Sequence, residues 1–237
     1  MDSLERFARW QGAPSPARTV RPFPQLDASH LYLIDKPGAA QSAIRIGRRA
    51  LPYDLTGDYY RANLANLVLG GTFMSRINLN IREDKGYTYG VRTEFVGSPY
   101  EGHFQARTSA TTRYTTETIE SLIDEISRYV AQGPTEDEVQ FTQRSRLQRT
   151  AKAYERSAQR LRLLSNMQTY GVGPEFLAQQ GELINTMTPE RAKADISKFL
   201  SVDEMIIVVV GDKERILSGL ETLGRKVVEL DENGDPV

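Results

Sequence analysis

The sequence predicts an α+β fold in which a mixed, largely antiparallel sheet of about six strands is covered by helices on one face. Residues 30–35 predict a first strand. After the turn at Lys36-Pro37-Gly38, the alternation of apolar and polar residues over 40–48 predicts a second strand, antiparallel to the first. The continuous apolar run at 205–210 predicts a strand that is buried on both faces. Helical patterns cluster between these strand signals, over residues 115–199.

Turn and cap signals place the remaining elements in order along the chain. Further strands are predicted at 91–96, 102–110 and 226–230, and helices at 58–69, 74–85, 115–132, 135–170, 175–185, 188–199 and 213–223. Thr135 and Glu138 form a capping-box pattern at the start of the long polar helix. Because there is neither an internal repeat nor a second core, we expect one domain over residues 28–231. A tail helix and proline-rich linker from a preceding domain would occupy 1–27, and a short tail 232–237.

The composition excludes several classes of function. The chain has 237 residues, with 30 Lys and Arg against 31 Asp and Glu, and it has no cysteine. The balanced charge gives no bulk attraction to nucleic acid or to an anionic membrane. Without cysteine there is neither a disulfide framework nor a cysteine metal site. No apolar run approaches the roughly 20 residues that a transmembrane helix needs.

The stretch from Leu69 to Gly90 is the part of the chain most indicative of function. A glycine pair opens it, and a helix is expected from Met74 to about Lys85. Gly86 ends that helix, because glycine adopts the left-handed conformation without a Cβ clash. Arg82 then lies in the last helical turn and Tyr89 at the start of the next strand, where the two side chains can converge.

Arg82 and Tyr89 together offer a planar, permanently charged set of donors and a neutral O–H donor. Such a pair suits a carbonyl oxygen that becomes an oxyanion, or a substrate carboxylate. The alternative is structural. In that reading Arg82 pairs with Glu83 or Asp84 on a solvated helix end, and Tyr89 packs in the core.

The same stretch resembles the signature L-G-G-x-x-x-S-R-L-x-x-x-L-R-E-x-x-G-x-x-Y of the second-type domain of M16 (pitrilysin / mitochondrial processing peptidase) zinc peptidases. The matching residues are Leu69, Gly70, Gly71, Ser75, Arg76, Arg82, Glu83, Gly86 and Tyr89, with Ile77 and Ile81 in place of leucines. Asp35-Lys36-Pro37-Gly38, Gln41 and Ser42 also match the family's opening hairpin. The resemblance covers residues 28–230 and implies the LuxS/MPP-like metallohydrolase fold, in the inactive C-terminal type of domain.

The resemblance also implies that zinc is bound elsewhere. Catalytic zinc needs three protein ligands, and the two histidines, His30 and His103, lie in separate predicted strands. In the catalytic sister domain an H-x-x-E-H motif lies on the helix before the glycine corner. Here those positions fall on Ala62, Ala65 and Asn66, which can neither bind zinc nor act as a base. The zinc is therefore expected in a partner domain and not in this chain.

The family's partner domain uses an arginine and a tyrosine seven residues apart, which is the spacing of Arg82 and Tyr89. The resemblance implies that Tyr89 stabilises the oxyanion of the scissile carbonyl and that Arg82 binds substrate. It further implies an H-x-x-E-H-bearing half, upstream on the same chain or on a separate subunit, together with peptide substrates. It favours the bacterial periplasm or cell envelope, although this chain carries no signal for either.

The sequence is also compatible with two other functions. The domain could be a structural or assembly unit of the same fold that takes no part in catalysis. The basic positions Arg144, Arg146, Arg149, Lys152, Arg156, Arg160 and Arg162 could instead form a helical face for nucleic acid. A solvated helix face is the commoner role of such residues, so nucleic acid is not expected as a partner.

Overall fold

The structure is a computed structural model, and it describes residue 12, residues 30–152 and residues 155–237. The expected tail helix and linker over 1–27 lie outside the described residues, apart from Gly12. None of the helices in the described ranges combines the length and the apolar character that crossing a membrane requires.

Six strands form one mixed sheet, as the sequence predicts. They are β1 (His30–Asp35), β2 (Gln41–Ala50), β3 (Thr88–Val96), β4 (Gly102–Thr111), β5 (Ile206–Gly211) and β6 (Lys226–Leu230). Their order across the sheet is β3-β4-β2-β5-β1-β6. The β3–β4, β4–β2 and β2–β5 pairs are antiparallel, whereas β1 is parallel to both β5 and β6.

The expected opening hairpin is wrong in one respect. β2 runs opposite to β1 as predicted, but β5 lies between them and pairs with both. The link between β1 and β2 passes the end of β5. There Lys36 N–H donates to Gly211 O (2.7 Å) and Gly38 N–H donates to Asp212 Oδ2 (3.2 Å). This arrangement gives the most apolar strand two hydrogen-bonded neighbours.

Among the described residues, the helices pack on one face of the sheet, and the side chains on the other face are exposed or partly exposed. Along β5, Ile207 and Val209 are buried, whereas Ile206, Val208 and Val210 are partly exposed. The expectation that this strand is buried on both faces is therefore wrong. Its apolar run serves a core on one side and a partly exposed sheet surface on the other.

Seven α-helices lie within the described ranges. They are α1 (Asp58–Asn66), α2 (Thr115–Gln132), α3 (Glu136–Lys152), α4 (Ser157–Tyr170), α5 (Phe176–Asn185), α6 (Pro189–Phe199) and α7 (Lys213–Glu221). Two π-helical segments follow α1, at Leu67–Gly71 and Asn78–Asp84, and short 3₁₀ turns occur at Thr112–Tyr114 and Val202–Glu204. The core joins Leu31, Leu33, Ile44, Ile46, Phe104 and Ile207 of the sheet to Ile119, Leu122 and Ile126 of α2.

The long helix expected over 135–170 is two helices. Arg156 has extended backbone (φ −95°, ψ 141°), and its N–H donates to Gln159 Oε1 (3.3 Å) at the start of α4. Arg146, on α3, points back to α1 and donates through Nη2 to Asn63 O (3.2 Å). Burial lowers the pKa of Arg146. The arginines over 144–162 therefore do not form one continuous helical face.

Candidate functional site

The corner between α1 and β3 holds the residues that the sequence singles out. After α1 the backbone widens into the π-helical turn Leu67–Gly71, bends, and becomes helical again at Arg76. It then widens a second time over Asn78–Asp84, which we call the corner segment. The helix predicted from Met74 thus exists but starts two residues later and is mostly π-helical. π-Helical turns occur frequently at functional sites.

Two glycines make the corner possible. A Cβ on Gly70 would lie 2.3–2.9 Å from the side-chain atoms of Thr93, so no side chain fits between this turn and β3. Gly86 has φ +68°, the left-handed conformation that the sequence predicts for the end of the corner segment. The chain can therefore reverse directly into β3.

Buried amides attach the corner to β3. Asn78 Nδ2 donates to Val91 O (2.8 Å), and Asn78 Oδ1 accepts from Val91 N–H (2.8 Å). At the end of α1, Asn66 Nδ2 donates to Thr93 O (2.9 Å) and Asn66 Oδ1 accepts from Thr93 Oγ1 (2.7 Å). These side-chain amides pair with backbone N–H and C=O groups of β3 that would otherwise lack hydrogen-bond partners. The corner and β3 are therefore fixed relative to each other.

The corner segment and the turn before it are also attached to the helical layer. Asn80 Nδ2 donates to the buried Glu125 (2.8 Å), and Lys85 Nζ donates to Ser121 Oγ (2.7 Å), both on α2. Arg76 makes a two-pronged contact with Glu138 at the start of α3, through Nε (2.6 Å) and Nη2 (2.5 Å). Charge-assisted contacts of this geometry are among the stronger hydrogen bonds in proteins.

In addition to its contact with Arg76, Glu138 completes the predicted capping box. Thr135 N–H donates to Glu138 Oε2 (2.7 Å), and Glu138 N–H donates to Thr135 Oγ1 (3.3 Å). Burial alone would raise the pKa of Glu138, but the hydrogen bonds from Arg76 and Thr135 outweigh burial and hold the pKa below its ordinary 4.5. The carboxylate form is thus the one that the fold stabilises.

We expect Glu138→Gln to lower the free energy of unfolding by about 1–3 kcal/mol at pH 7. The folded-state pKa is depressed, so this stabilisation is fully present above the unfolded-state pKa of 4.5 and is lost as the pH falls through the folded-state value. Urea unfolding of both proteins between pH 7 and pH 3 measures the difference. The assignment is wrong if the gap between them stays constant as the pH falls.

Arg82 lies in the corner segment, and other side chains already contact part of its guanidinium group. Its guanidinium carbon lies 3.6 Å from the centre of the Phe73 ring, and its Nη1 lies 2.6 Å from Glu83 Oε1. Nη1 is buried yet has no partner at hydrogen-bond geometry, so Glu83 offsets its charge without using that N–H. The structural alternative predicts that Arg82 pairs with Glu83, and this ion pair is present. The N–H groups of Nη1 make no hydrogen bond in it.

Tyr89 lies on β3 and is 88 % exposed, so the alternative that it packs in the core is wrong. Thr88 pairs with Ala110 and Val91 with Thr108, which leaves two β3 residues, Tyr89 and Gly90, opposite one β4 residue. Thr88 Oγ1 and Thr108 Oγ1 fix this β-bulge: they lie 2.7 Å apart, and each donates to Gly90 O. Bulges re-aim side chains and are common beside active sites.

Sequence reasoning missed an exposed apolar group at the same corner. Phe73 and Met74 are 59 % and 64 % exposed, and Leu79 is also exposed. Arg82 stacks on one of them, Phe73. Exposed apolar side chains that occur together typically mark an interaction surface. The adjacent Phe73-Met74 pair beside the glycine corner was the available signal in the sequence.

The residues that the structure describes do not fit a zinc site. Within the described residues, no three His, Cys, Asp or Glu side chains are grouped so that they could hold a metal. His30 and His103 lie on β1 and β4, which two other strands separate. At the positions aligned with H-x-x-E-H, Ala62 and Ala65 are fully buried and the Asn66 amide is committed to Thr93.

The fold, and a glycine corner preceded by Ala62, Ala65 and Asn66 in place of the catalytic motif, are those of the non-catalytic type of M16 peptidase domain. A family model described as the peptidase M16 inactive domain matches residues 3–146, more than half of the chain. The chain therefore belongs to this family, which confirms the resemblance seen in the sequence.

Solved structures with the same fold include proteases. A peptidase M16 inactive domain from Pseudomonas fluorescens matches with 26 % identity and a TM-score of 0.75, over 83 % of this chain and 47 % of that one. The periplasmic protease PqqL from Escherichia coli matches with 15 % identity and a TM-score of 0.71, over 88 % and 24 %. A protease from Helicobacter pylori matches with 10 % identity and a TM-score of 0.71, over 88 % and 51 %.

The chain thus spans about half the length of the Pseudomonas and Helicobacter chains and about a quarter of PqqL. No curated protein sequence matches it.

Proposed function

We propose that this chain is the non-catalytic half of a zinc metallopeptidase and supplies Tyr89 and Arg82 to peptide hydrolysis. The zinc and the catalytic base belong to an H-x-x-E-H-bearing partner, called here the zinc-bearing half, on the same chain or on another subunit. The observation that carries the proposal is the β-bulge at Tyr89. A regular strand alternates its side chains between the two faces of the sheet. The bulge interrupts this alternation and exposes Tyr89, which lies beside a corner fixed by buried amides.

Tyr89 is proposed to donate its O–H to the scissile carbonyl oxygen as that oxygen becomes an oxyanion. A preorganised donor binds the developing charge more strongly than the neutral carbonyl, so it lowers the barrier as well as binding substrate. Thr88 and Thr108 hold the bulge before substrate arrives, so positioning Tyr89 needs little reorganisation.

Arg82 is proposed to bind a backbone carbonyl or a carboxylate of the peptide. The Arg82 side chain is 26 % exposed, so the accessible part of the guanidinium can reach a bound peptide, and the Phe73 ring stacked on the guanidinium limits its movement. A guanidinium has a fixed planar geometry, so it orients a bound oxygen as well as attracting it.

The exposed Phe73, Met74 and Leu79 are proposed to face the zinc-bearing half. An apolar surface of this kind is buried in the assembled enzyme, where it would set the position of Arg82 and Tyr89 over the substrate. A periplasmic or cell-envelope location belongs to the same proposal.

The second candidate is a structural or assembly domain of the same fold with no part in catalysis. The Arg82–Glu83 ion pair favours it, because a paired arginine can simply stabilise the end of the corner segment. The two candidates differ in what Arg82 does when substrate is bound, so substitution of Arg82 separates them.

In the enzyme reconstituted with its zinc-bearing half, we expect Arg82→Ala to raise KM for an internally quenched peptide about tenfold, because a charged hydrogen bond to substrate is lost. Arg144→Ala, an exposed arginine of α3, is the matched control and should leave KM unchanged. Steady-state kinetics measure both. Full turnover in both Arg82→Ala and Tyr89→Phe would sink the proposal and leave the structural role.

A further inference from the structure

The open face of the sheet carries a row of three arginines. The strand registers place Arg45 of β2 opposite Arg107 of β4, and Arg107 opposite Arg92 of β3. All three side chains are exposed. They belong to directly adjacent strands about 4.8 Å apart, so the row spans about 10 Å. We call it the arginine row.

The row is short of compensating negative charge. Within the described part of the chain, Glu94 is the one carboxylate paired with it, at 3.3 Å from Arg92 Nε and 3.2 Å from Arg107 Nε. Arg45 instead donates to a neutral backbone carbonyl, Ile44 O (3.1 Å). Like charges that lie directly opposite each other on a sheet are destabilising. Three guanidinium groups next to a single carboxylate therefore destabilise the fold, and a bound anion would reduce this destabilisation.

The row also borders a shallow pocket beside the bulge. Arg45, Arg92 and Arg107 line this pocket together with Gly90, Val91, Thr108 and Ser109. Ser109 is the β4 residue that faces the bulge at Tyr89 and Gly90. Arg107 precedes Ser109 by two residues along β4, which corresponds to a separation of about 7 Å. The charged row thus lies within two residues of the position proposed for the scissile bond.

We propose that the arginine row binds acidic side chains of an extended peptide, close to the bond that is cleaved. Guanidinium groups bind carboxylates in a planar, two-pronged geometry. Acidic residues two positions apart on an extended peptide are separated by about 7 Å, which fits within the row. The location of this site relative to the cleaved bond rests on the proposed function of Tyr89, whereas binding of the acidic peptide does not.

The test compares two nine-residue peptides with a neutral fluorophore, identical except that two glutamates in one are glutamines in the other. Fluorescence anisotropy with the full 237-residue chain measures Kd. We expect the acidic peptide to bind roughly tenfold more tightly at low salt, and the advantage to shrink as salt screens it. Arg107→Gln should abolish the advantage. Arg160→Gln, which removes the same charge from α4, should keep it.

Folding is checked in the same variants. Arg107→Gln removes two like-charge contacts and one ion pair, so its melting temperature should not fall below that of the wild type. Equal affinity for the two peptides, no binding of either, or an equal loss in Arg107→Gln and Arg160→Gln would overturn the proposal. So would an oligonucleotide that binds the row more tightly than the acidic peptide.

Turnover by the reconstituted enzyme separates this inference from the proposed function. If Arg107→Gln loses the preference for the acidic peptide while Tyr89→Phe turns over at full rate, the arginine row stands and the role of Tyr89 fails. If Tyr89→Phe is inactive while both peptides bind equally to the wild type, the role of Tyr89 stands and the arginine row fails.

Discussion

Replacing Tyr89 by phenylalanine is expected to lower kcat about 10²–10³-fold in the enzyme reconstituted with its zinc-bearing half. The substitution removes one O–H and keeps the ring, so it tests the hydrogen bond and not the shape of the site. Because an oxyanion donor acts mainly in the transition state, KM should change far less than kcat. Steady-state kinetics with a quenched peptide measure the two parameters separately.

Tyr100→Phe is the matched control, because Tyr100 is also an exposed tyrosine and lies in the loop between β3 and β4. We expect it to leave kcat unchanged. The Tyr89 hydroxyl is not needed for folding, since the side chain is 88 % exposed, so both variants should unfold at the wild-type temperature. A Tyr89→Phe enzyme with wild-type kcat would remove Tyr89 from the reaction.

The arrangement of the strands shows where sequence patterns stop being informative. Alternation, a continuous apolar run and turn residues predict all six strands, because these signals depend on neighbours in the chain. The insertion of β5 between β1 and β2 depends on a pairing between residues over 170 positions apart, such as Leu33 with Val209. No local pattern contains that information, so the opening hairpin was the natural but wrong expectation.

The candidate site was likewise predictable from the sequence only in part. The seven-residue spacing identifies Arg82 and Tyr89, because a family motif is local. The β-bulge that exposes Tyr89 arises from the register of β3 on β4, and the arginine row arises from the register of three strands. In the sequence Arg45, Arg92 and Arg107 are simply three polar positions of separate strands. Their common row becomes visible once the pairing is known.

Asn78 was the least expected contributor, because an asparagine in a polar helical pattern suggests a solvated position. It is instead buried, and its amide lies within hydrogen-bond distance of four partners. These contacts connect the amide to Thr72 O, Ser75 Oγ, Val91 O and Val91 N–H, so one side chain joins the corner segment to both the preceding turn and β3. Composition and spacing carry no sign of such a role.

Replacing Asn78 by leucine, which has a similar size, is therefore expected to lower the free energy of unfolding by about 4 kcal/mol. The leucine leaves the N–H and C=O of Val91 buried without partners, and each unpaired group costs about 1–3 kcal/mol. Urea unfolding at pH 7 measures the loss. Asn63→Leu is the control, since the Asn63 side-chain amide donates to Tyr59 O at a partly exposed site, and we expect a loss of at most about 1 kcal/mol.

Asn78→Asp separates the acceptor from the donors, because the carboxylate still accepts from Val91 N–H but no longer donates to Val91 O. It should fall between wild type and Asn78→Leu in stability. Since Asn78 holds the segment that carries Arg82 against the strand that carries Tyr89, peptide turnover should fall in the same order under conditions where all three proteins remain folded. Equal stability of wild type and Asn78→Leu would mean that the corner is held by apolar packing alone, with Ile77 and Ile81 as its anchors.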